Sequence, residues 1–232
     1  MLPSVDRVDA VLCDAGGVLL MPDPDVLRSL LESTGLCPTD AVCERAHFEA
    51  MRALDQHGHT AYSVGHRAFA RSIGATPAQL EDAAAAVGQL YTRHPLKPVP
   101  TAAPSLQRLA EAGLALGVVS NASGTMADQL AAHEICSVGG TGGVTVAVVV
   151  DSEIVGIEKP DPGIFQIALD ALRVPASRCV YIGDSVHFDV HGARAAGLHP
   201  VHVDPHELCG DPTHLHAASV SQFTDSFLAS KD

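Results

Sequence analysis

Three apolar runs in this 232-residue chain each end in a group able to do chemistry. The first, Val8-Asp9-Ala10-Val11-Leu12-Cys13, leads into Asp14-Ala15-Gly16-Gly17-Val18. The second, Leu114-Ala115-Leu116-Gly117-Val118-Val119, ends in Ser120 and Asn121. The third, Cys179-Val180-Tyr181-Ile182-Gly183, ends in Asp184 and Ser185, with Asp189 in the loop beyond. Between the last two stands Glu158-Lys159-Pro160-Asp161-Pro162, a lysine just ahead of a helix start. Such runs read as buried strands closed by tight turns, and in open parallel sheets the carboxyl tips of strands are where ligands bind. Two or three carboxylates can hold a hard cation such as Mg²⁺, which prefers oxygen ligands and keeps several waters. Ser120, the Asn121 backbone and Lys159 can grip anionic oxygens. Asp14 can then attack phosphorus and form an aspartyl-phosphate, a reaction that needs mostly positioning and charge neutralisation.

The four segments, in this order and over nearly the whole chain, resemble the motifs of the haloacid dehalogenase-like (HAD) hydrolase superfamily. The resemblance implies a role for each residue. Asp14 matches the nucleophile, and Gly16 the position whose backbone carbonyl binds Mg²⁺. Ser120 matches the phosphate-binding hydroxyl, with the Asn121 amide beside it. Lys159 matches the lysine that neutralises nucleophile and phosphoryl charge. Asp184 matches the metal-binding acid, and Asp189 a supporting acid in the metal's surroundings. The implied activity is Mg²⁺-dependent hydrolysis of a small phosphomonoester, a sugar phosphate being the first expectation.

The chain departs from this pattern at Gly16, where the family's phosphatases usually carry a second aspartate that protonates the leaving alkoxide. Glycine keeps the carbonyl but has no proton to give, and such help is typically worth about 10²–10⁴-fold in rate. Three readings stand. Another group, such as a cap residue, a water on Mg²⁺ or the substrate itself, supplies the proton. Alternatively, Asp14 attacks carbon as in the haloacid dehalogenases, although those usually have an aromatic residue before Gly-Thr and lack the Gly-Asp seen here at 183–184. Or the chain is a degenerate member that binds a ligand or partner without turnover. His187, just past Asp184, is a sequence-proximal candidate for the proton. Arg45, His47, Arg52, His57, His59, His66, Arg67 and Arg71 could reach an anionic substrate, and the sequence does not choose among them.

The site residues also have plainer readings. Asp14 and Asp184 could be turn residues, Ser120 and Asn121 helix caps, Lys159 a solvated surface lysine, and Asp189 a first-turn acid favoured by the helix dipole.

Positioning these groups requires alternating strands and helices. Residues 8–20 read as a strand and turn, and residues 22–97 as helical. Helices are expected from Pro24 to near Gly35, from Pro38 to about Leu54, and from a capping box at Thr76-Pro77-Ala78-Gln79 to about His94. Pro95, Pro98 and Pro100 mark a return linker. Helices at Ala103–Ala112 and Gly124–His133, a strand at Val144–Val150, a helix from Asp161 to Arg173, another from Asp189 to Ala196 and a last strand at His199–Val203 follow. Between Asn121 and Glu158 only a helix and a strand are expected. This alternation predicts a doubly wound parallel α/β sheet, with a core of residues 1–21 and 98–232 and an inserted helical cap at 22–97. Such a cap would exclude water and carry specificity.

Composition narrows the partners. Twenty-seven acids against 14 bases give a net charge of −13, a surface that repels nucleic acid and anionic membranes. The expected partner is a small phosphomonoester. The six cysteines form no C-x-x-C pair, and neither a signal pattern at Met1–Asp6 nor a run of 18 apolar residues is present, so a reduced cytoplasmic setting is expected. Cys13 reads as a small buried hydrophobe. The 13 histidines include a crowd at His199, His202, His206, His214 and His216, without the spacing of a known zinc motif.

Overall fold

The computed structural model describes residues 8–57 and 62–230. His59 and the Met1–Asp6 segment lie outside the described residues. Strand β1 (Ala10–Cys13) and a two-residue strand β2 (Leu20–Met21) flank the first turn. Helices α1 (Pro24–Leu30), α2 (Asp40–His57), α3 (Tyr62–Ser72) and α4 (Leu80–Arg93) follow. Strand β3 (Lys97–Pro98) then pairs antiparallel with β2, so the helical segment leaves and returns through one two-stranded neck. Beyond it come α5 (Ala102–Glu111), β4 (Ala115–Ser120), α6 (Met126–Ala132), β5 (Cys136–Val138), β6 (Val144–Val146), β7 (Val148–Asp151) and α7 (Ser152–Val155). The chain continues as α8 (Pro162–Leu172), β8 (Cys179–Gly183), a π-helical turn (Val186–His191), α9 (Gly192–Ala195), β9 (His199–Val203), β10 (Leu215–Ala217) and α10 (Val220–Ala229).

Six strands form one parallel sheet in the order β10-β9-β8-β1-β4-β7. β1, β4 and β8 lie at its centre and are buried nearly throughout, as parallel strands covered on both faces must be. Leu106, Leu109, Met126, Leu130, Phe223 and Phe227 pack one face, from α5, α6 and α10. Ile164, Phe165, Ala168, Leu169 and Ala193 pack the other, from α8 and α9. A third cluster, including Leu27, Phe69, Val87 and Leu90, ties α1–α4 together.

The structure is richer than the sequence pattern in three places. The expected strand Val144–Val150 divides at Ala147: β6 pairs with β5 in a side ribbon, while β7 is the edge of the main sheet. The uninterrupted β-branched run conceals that division. Between Asn121 and Glu158 there are therefore two helices and three strands. A sixth main-sheet strand, β10, lies beyond the expected last strand β9; it is only three residues long, with His216 at its centre, so it lacks an apolar run. At Thr76 the Gln79 side chain does accept the Thr76 N–H, at 3.0 Å, but the helix itself begins at Leu80.

One carboxylate docks the helical segment on the core. Asp55, on α2, accepts from Ser185 Oγ (2.7 Å), Val186 N (2.9 Å) and His187 N (2.8 Å). The last two are among the N–H groups that a helical turn leaves without internal partners. Burial nevertheless raises the Asp55 pKa, those bonds opposing the rise. Charge-assisted bonds of this type contribute about 1.5–3 kcal/mol each at most, and they are not additive. Asp55→Ala is therefore expected to lower the unfolding free energy by about 2–3 kcal/mol, with Asp55→Asn intermediate, as measured by denaturant titration.

Candidate active site

Parallel register brings the three motif-bearing strand tips together. Cys13 pairs with Ile182 of β8 and with Val118 of β4, and Asp14 N donates to the Ile182 carbonyl at 2.7 Å. Asp14, Ser120 and Asp184 thus emerge side by side at the carboxyl edge. All three are buried.

Lys159 is the centre of the cluster. Its side chain is 2 % exposed, and Nζ lies 3.0 Å from Asp14 Oδ2 and 2.7 Å from Asp189 Oδ1. Nζ also donates to Tyr181 Oη at 3.1 Å. The Lys159 backbone is held from both sides by one amide: Asn121 Nδ2 donates to its carbonyl at 3.0 Å, and its N–H donates to Asn121 Oδ1 at 2.7 Å. The Asn121 side chain, whose expected role was at most a helix cap, is thus what fixes Lys159. Burial alone would lower the Lys159 pKa, but the Asp14 and Asp189 carboxylates outweigh it and raise the pKa.

Asp189 has little freedom to ligate. Oδ1 accepts from Lys159 and, at 3.0 Å, from Tyr181 Oη, while Oδ2 accepts the Ser185 N–H at 3.0 Å. Its fit against β8 requires Gly183, where a Cβ would stand 2.2 Å from Asp189 Cγ. The first turn shows the same economy of space. Gly17 adopts φ +69°, and a Cβ there would stand 2.0 Å from Asp184 Oδ2 and 2.8 Å from His47 Nε2. A Cβ on Gly16 would meet nothing within 4 Å. Packing therefore demands glycine at 17 but not at 16.

Among the described residues, His47 is the one of the eight sequence candidates in the helical segment that meets an acid of the cluster. It projects from α2, its Nε2 2.7 Å from Asp184 Oδ2 and its Nδ1 2.7 Å from Tyr91 Oη. No spacing rule links residues 137 positions apart. The ring of His187, the sequence-proximal candidate, packs against Phe188 and His191. Cys13 is fully buried on β1, and burial pushes its thiol pKa well up. Beside the site, a cavity of about 310 Å³ reaches Asp184 and is lined by Phe48, Arg52 and Gln56 of α2.

The charge balance favours a cation. One oxygen from each of Asp14, Asp184 and Asp189 lies within 4.8 Å of the others, and one lysine faces these three acids. Burial foremost, with Asp189 and Asp184 adding to it, pushes the Asp14 pKa up to about 7 even against the pull of Lys159. All-oxygen, acid-rich donors suit a hard divalent ion such as Mg²⁺.

That shift has a sign that can be measured. Folded Asp14 binds its proton more tightly than unfolded Asp14, so it opposes folding as pH rises from about 4 to about 7. In chelator-treated protein, the unfolding free energy is expected to fall over this range, by at most about 1.4 kcal/mol per pH unit from this group. Asp14→Asn should flatten that slope in pH-dependent denaturant titrations.

The site can be set beside known proteins. The family model described as haloacid dehalogenase-like hydrolase matches residues 8–197. A glyceraldehyde 3-phosphate phosphatase of Methanopyrus kandleri is 32% identical over 77% of this chain and 73% of its own length. A phosphoglycolate phosphatase of Xanthomonas campestris is 30% identical over 82% of this chain and 80% of its own. In fold, the chain is similar to a HAD phosphatase from Thermococcus onnurineus, with a TM-score of 0.58 at 22% identity over 94% of this chain and 97% of that one. The matched span takes in every strand tip described above, and the chain is a member of the haloacid dehalogenase-like hydrolase family.

Proposed function

We propose that this hydrolase is a Mg²⁺-dependent phosphatase that cleaves a small phosphomonoester through an aspartyl-phosphate on Asp14. The observation that carries the reading is the buried Asp14–Lys159–Asp189 triad with Asp184 beside it. In this reading residues 1–21 and 98–232 form the catalytic core, and residues 22–97 are the cap. The two curated relatives act, by name, on glyceraldehyde 3-phosphate and phosphoglycolate. A short phosphorylated carbon skeleton, a sugar phosphate among them, is the matching substrate class.

Each residue then has a task. An Asp14 carboxylate oxygen attacks phosphorus, and the bond from phosphorus to the leaving oxygen breaks. Water next cleaves the aspartyl-phosphate and releases inorganic phosphate. Lys159 balances the charge of nucleophile and phosphoryl group, and Asp189, Tyr181 and the Asn121 side chain hold Lys159 in place. The Ser120 hydroxyl and the Asn121 N–H donate to phosphoryl oxygens as charge develops. Asp14, Asp184 and the Gly16 carbonyl would hold Mg²⁺, with Asp189 in its surroundings. The chemistry Mg²⁺ supplies when bound is Lewis-acid neutralisation of phosphoryl charge.

His47 is the proposed source of the proton that Gly16 cannot give. Its Nε2 lies over Gly17, the residue after Gly16, and Tyr91 Oη lies 2.7 Å from its Nδ1. The adjoining cavity, with Arg52 and Gln56, would take the rest of the substrate. The dehalogenase reading loses ground because Asp184 sits buried beside Asp14, a carboxylate that carbon chemistry does not require.

Phosphate release from a panel of sugar phosphates and p-nitrophenyl phosphate should require Mg²⁺ and fall on the order of 10³-fold or more in Asp14→Asn. Absence of release from every substrate would favour a binding protein, and metal-independent halide release a dehalogenase. For the proton, His47→Gln is expected to cost about 10²-fold in kcat on alkyl phosphates. It should leave p-nitrophenyl phosphate, whose leaving group needs no proton, nearly unchanged. Gly16→Asp in the His47→Gln background should restore the alkyl activity, since an added side chain there enters open space. Equal loss on both substrates would remove His47 from the acid role.

A further inference from the structure

Next to the catalytic cluster, on the far side of Asp184, three imidazoles and a thiol converge. One donor atom from each of His202, Cys209, His214 and His216 lies within 4.8 Å of the rest. Topology creates this cluster. β9 and β10 pair in parallel with His202 opposite His216, and the connecting loop folds back to bring in Cys209. Asp204 fixes that loop by accepting the N–H groups of Leu208 and Cys209, each at 2.8 Å.

The hydrogen bonds decide which nitrogens face inward. His202 Nε2 faces the Asp184 carbonyl at 3.2 Å, so it carries the proton and leaves a lone pair on Nδ1. His216 Nε2 faces the Asp211 carbonyl at 3.0 Å; with the proton there, Nδ1 keeps a lone pair, 3.6 Å from Asp204 Oδ2. His214 Nδ1 is buried without a hydrogen bond, 3.5 Å from the Asp211 carboxylate. Its Nε2 lies 3.2 Å from His202 Nδ1 and 3.7 Å from Cys209 Sγ.

No arrangement of protons on neutral rings satisfies this set. With the His214 proton on Nδ1, two lone pairs oppose one another at 3.2 Å. With it on Nε2, a buried lone pair faces a carboxylate.

A cation does resolve it. Metal-bound histidines characteristically donate their other N–H to a backbone carbonyl or a carboxylate, as these three are placed to do. Tetrahedral Zn²⁺ with bonds of about 2.0–2.3 Å sets neighbouring donors about 3.3–3.7 Å apart, close to the two separations observed. We propose that His202, Cys209, His214 and His216 form a second metal site, for a thiophilic divalent ion of the zinc class, separate from the carboxylate site at Asp14 and Asp184. Nitrogen and sulfur donors distinguish it from that oxygen site. Binding releases the Cys209 thiol proton. Through His202 the site is one hydrogen bond from the Asp184 main chain.

Cobalt substitution tests the proposal on untagged full-length protein. Co²⁺ should produce a thiolate-to-cobalt charge-transfer band and intense tetrahedral visible bands. The charge-transfer band should vanish in Cys209→Ser, and both features should weaken in His214→Ala but persist in Asp14→Asn. Against loss of folding in the variants, wild-type protein supplies a second measurement. Zn²⁺ should slow alkylation of Cys209 by about tenfold or more, with the exposed Cys37 as internal reference. A cobalt spectrum without a thiolate band, or Cys209 alkylation unaffected by Zn²⁺, would overturn the site.

Discussion

The buried ammonium of Lys159 is the constraint on which the rest of the site depends. Taking an ion out of water costs several kcal/mol, a cost offset only by well-placed opposite charge and hydrogen bonds. Here that compensation comes from three elements at once: Asp14 at the tip of β1, Tyr181 within β8, and Asp189 in the turn after β8. Tyr181 Oη also lies 3.1 Å from the Val119 carbonyl, an alternative acceptor for its one proton that faces it across β1 from β4. The strand tips are held in register by the same interactions that keep the lysine charged. Glycine at 183 follows from this, because Asp189 fills the space a side chain would need.

The compensation is lopsided, and that imbalance gives the site its chemical character. Burial above all, with Asp189 and Asp184 adding to it, raises the Asp14 pKa although an ammonium lies 3.0 Å away, and one lysine faces three buried carboxylates. A divalent cation at the acids would relieve the strain and deprotonate Asp14 in the same act. Asp184 meanwhile turns one oxygen toward His47. Helix α2 thus contributes polar contacts that bind the helical segment to the core, Asp55 on the π-turn and His47 on Asp184. Any movement of α2 alters the surroundings of an acid in the cluster.

Asp184 is shared in a second way. Its carboxylate belongs to the oxygen-rich cluster, and its carbonyl accepts from His202 of the nitrogen–sulfur cluster. Hard and soft donors are sorted to opposite sides of one residue. The separation has a simple origin: strand tips supply carboxylates on one side, and the β9–β10 pairing lines up histidines on the other.

Much of this was legible in the linear chain. Apolar runs ending in Asp14, Ser120 and Asp184 identify central parallel strands because both faces of such strands are buried, and polar residues are tolerated only at the tips. Lys159, isolated before Pro160, was legible as a grip for anionic oxygens, and the resemblance implied its charge-neutralising role. The family and the fold class followed from these local patterns. Other features depended on contacts between distant segments. β10 is too short to announce itself, so the convergence of His202, Cys209, His214 and His216 exists only once β9 and β10 pair. The break at Ala147 is hidden in a continuous β-branched run. His47 was one of eight equivalent candidates until the packing of α2 set it against Asp184, and the Asn121 side-chain clamp on Lys159 exists only in the folded chain. Local composition determines which segments are strands and which groups end them; only tertiary packing decides which distant side chains share a desolvated space, because that choice rests on pairwise distance and charge compensation rather than on position along the chain.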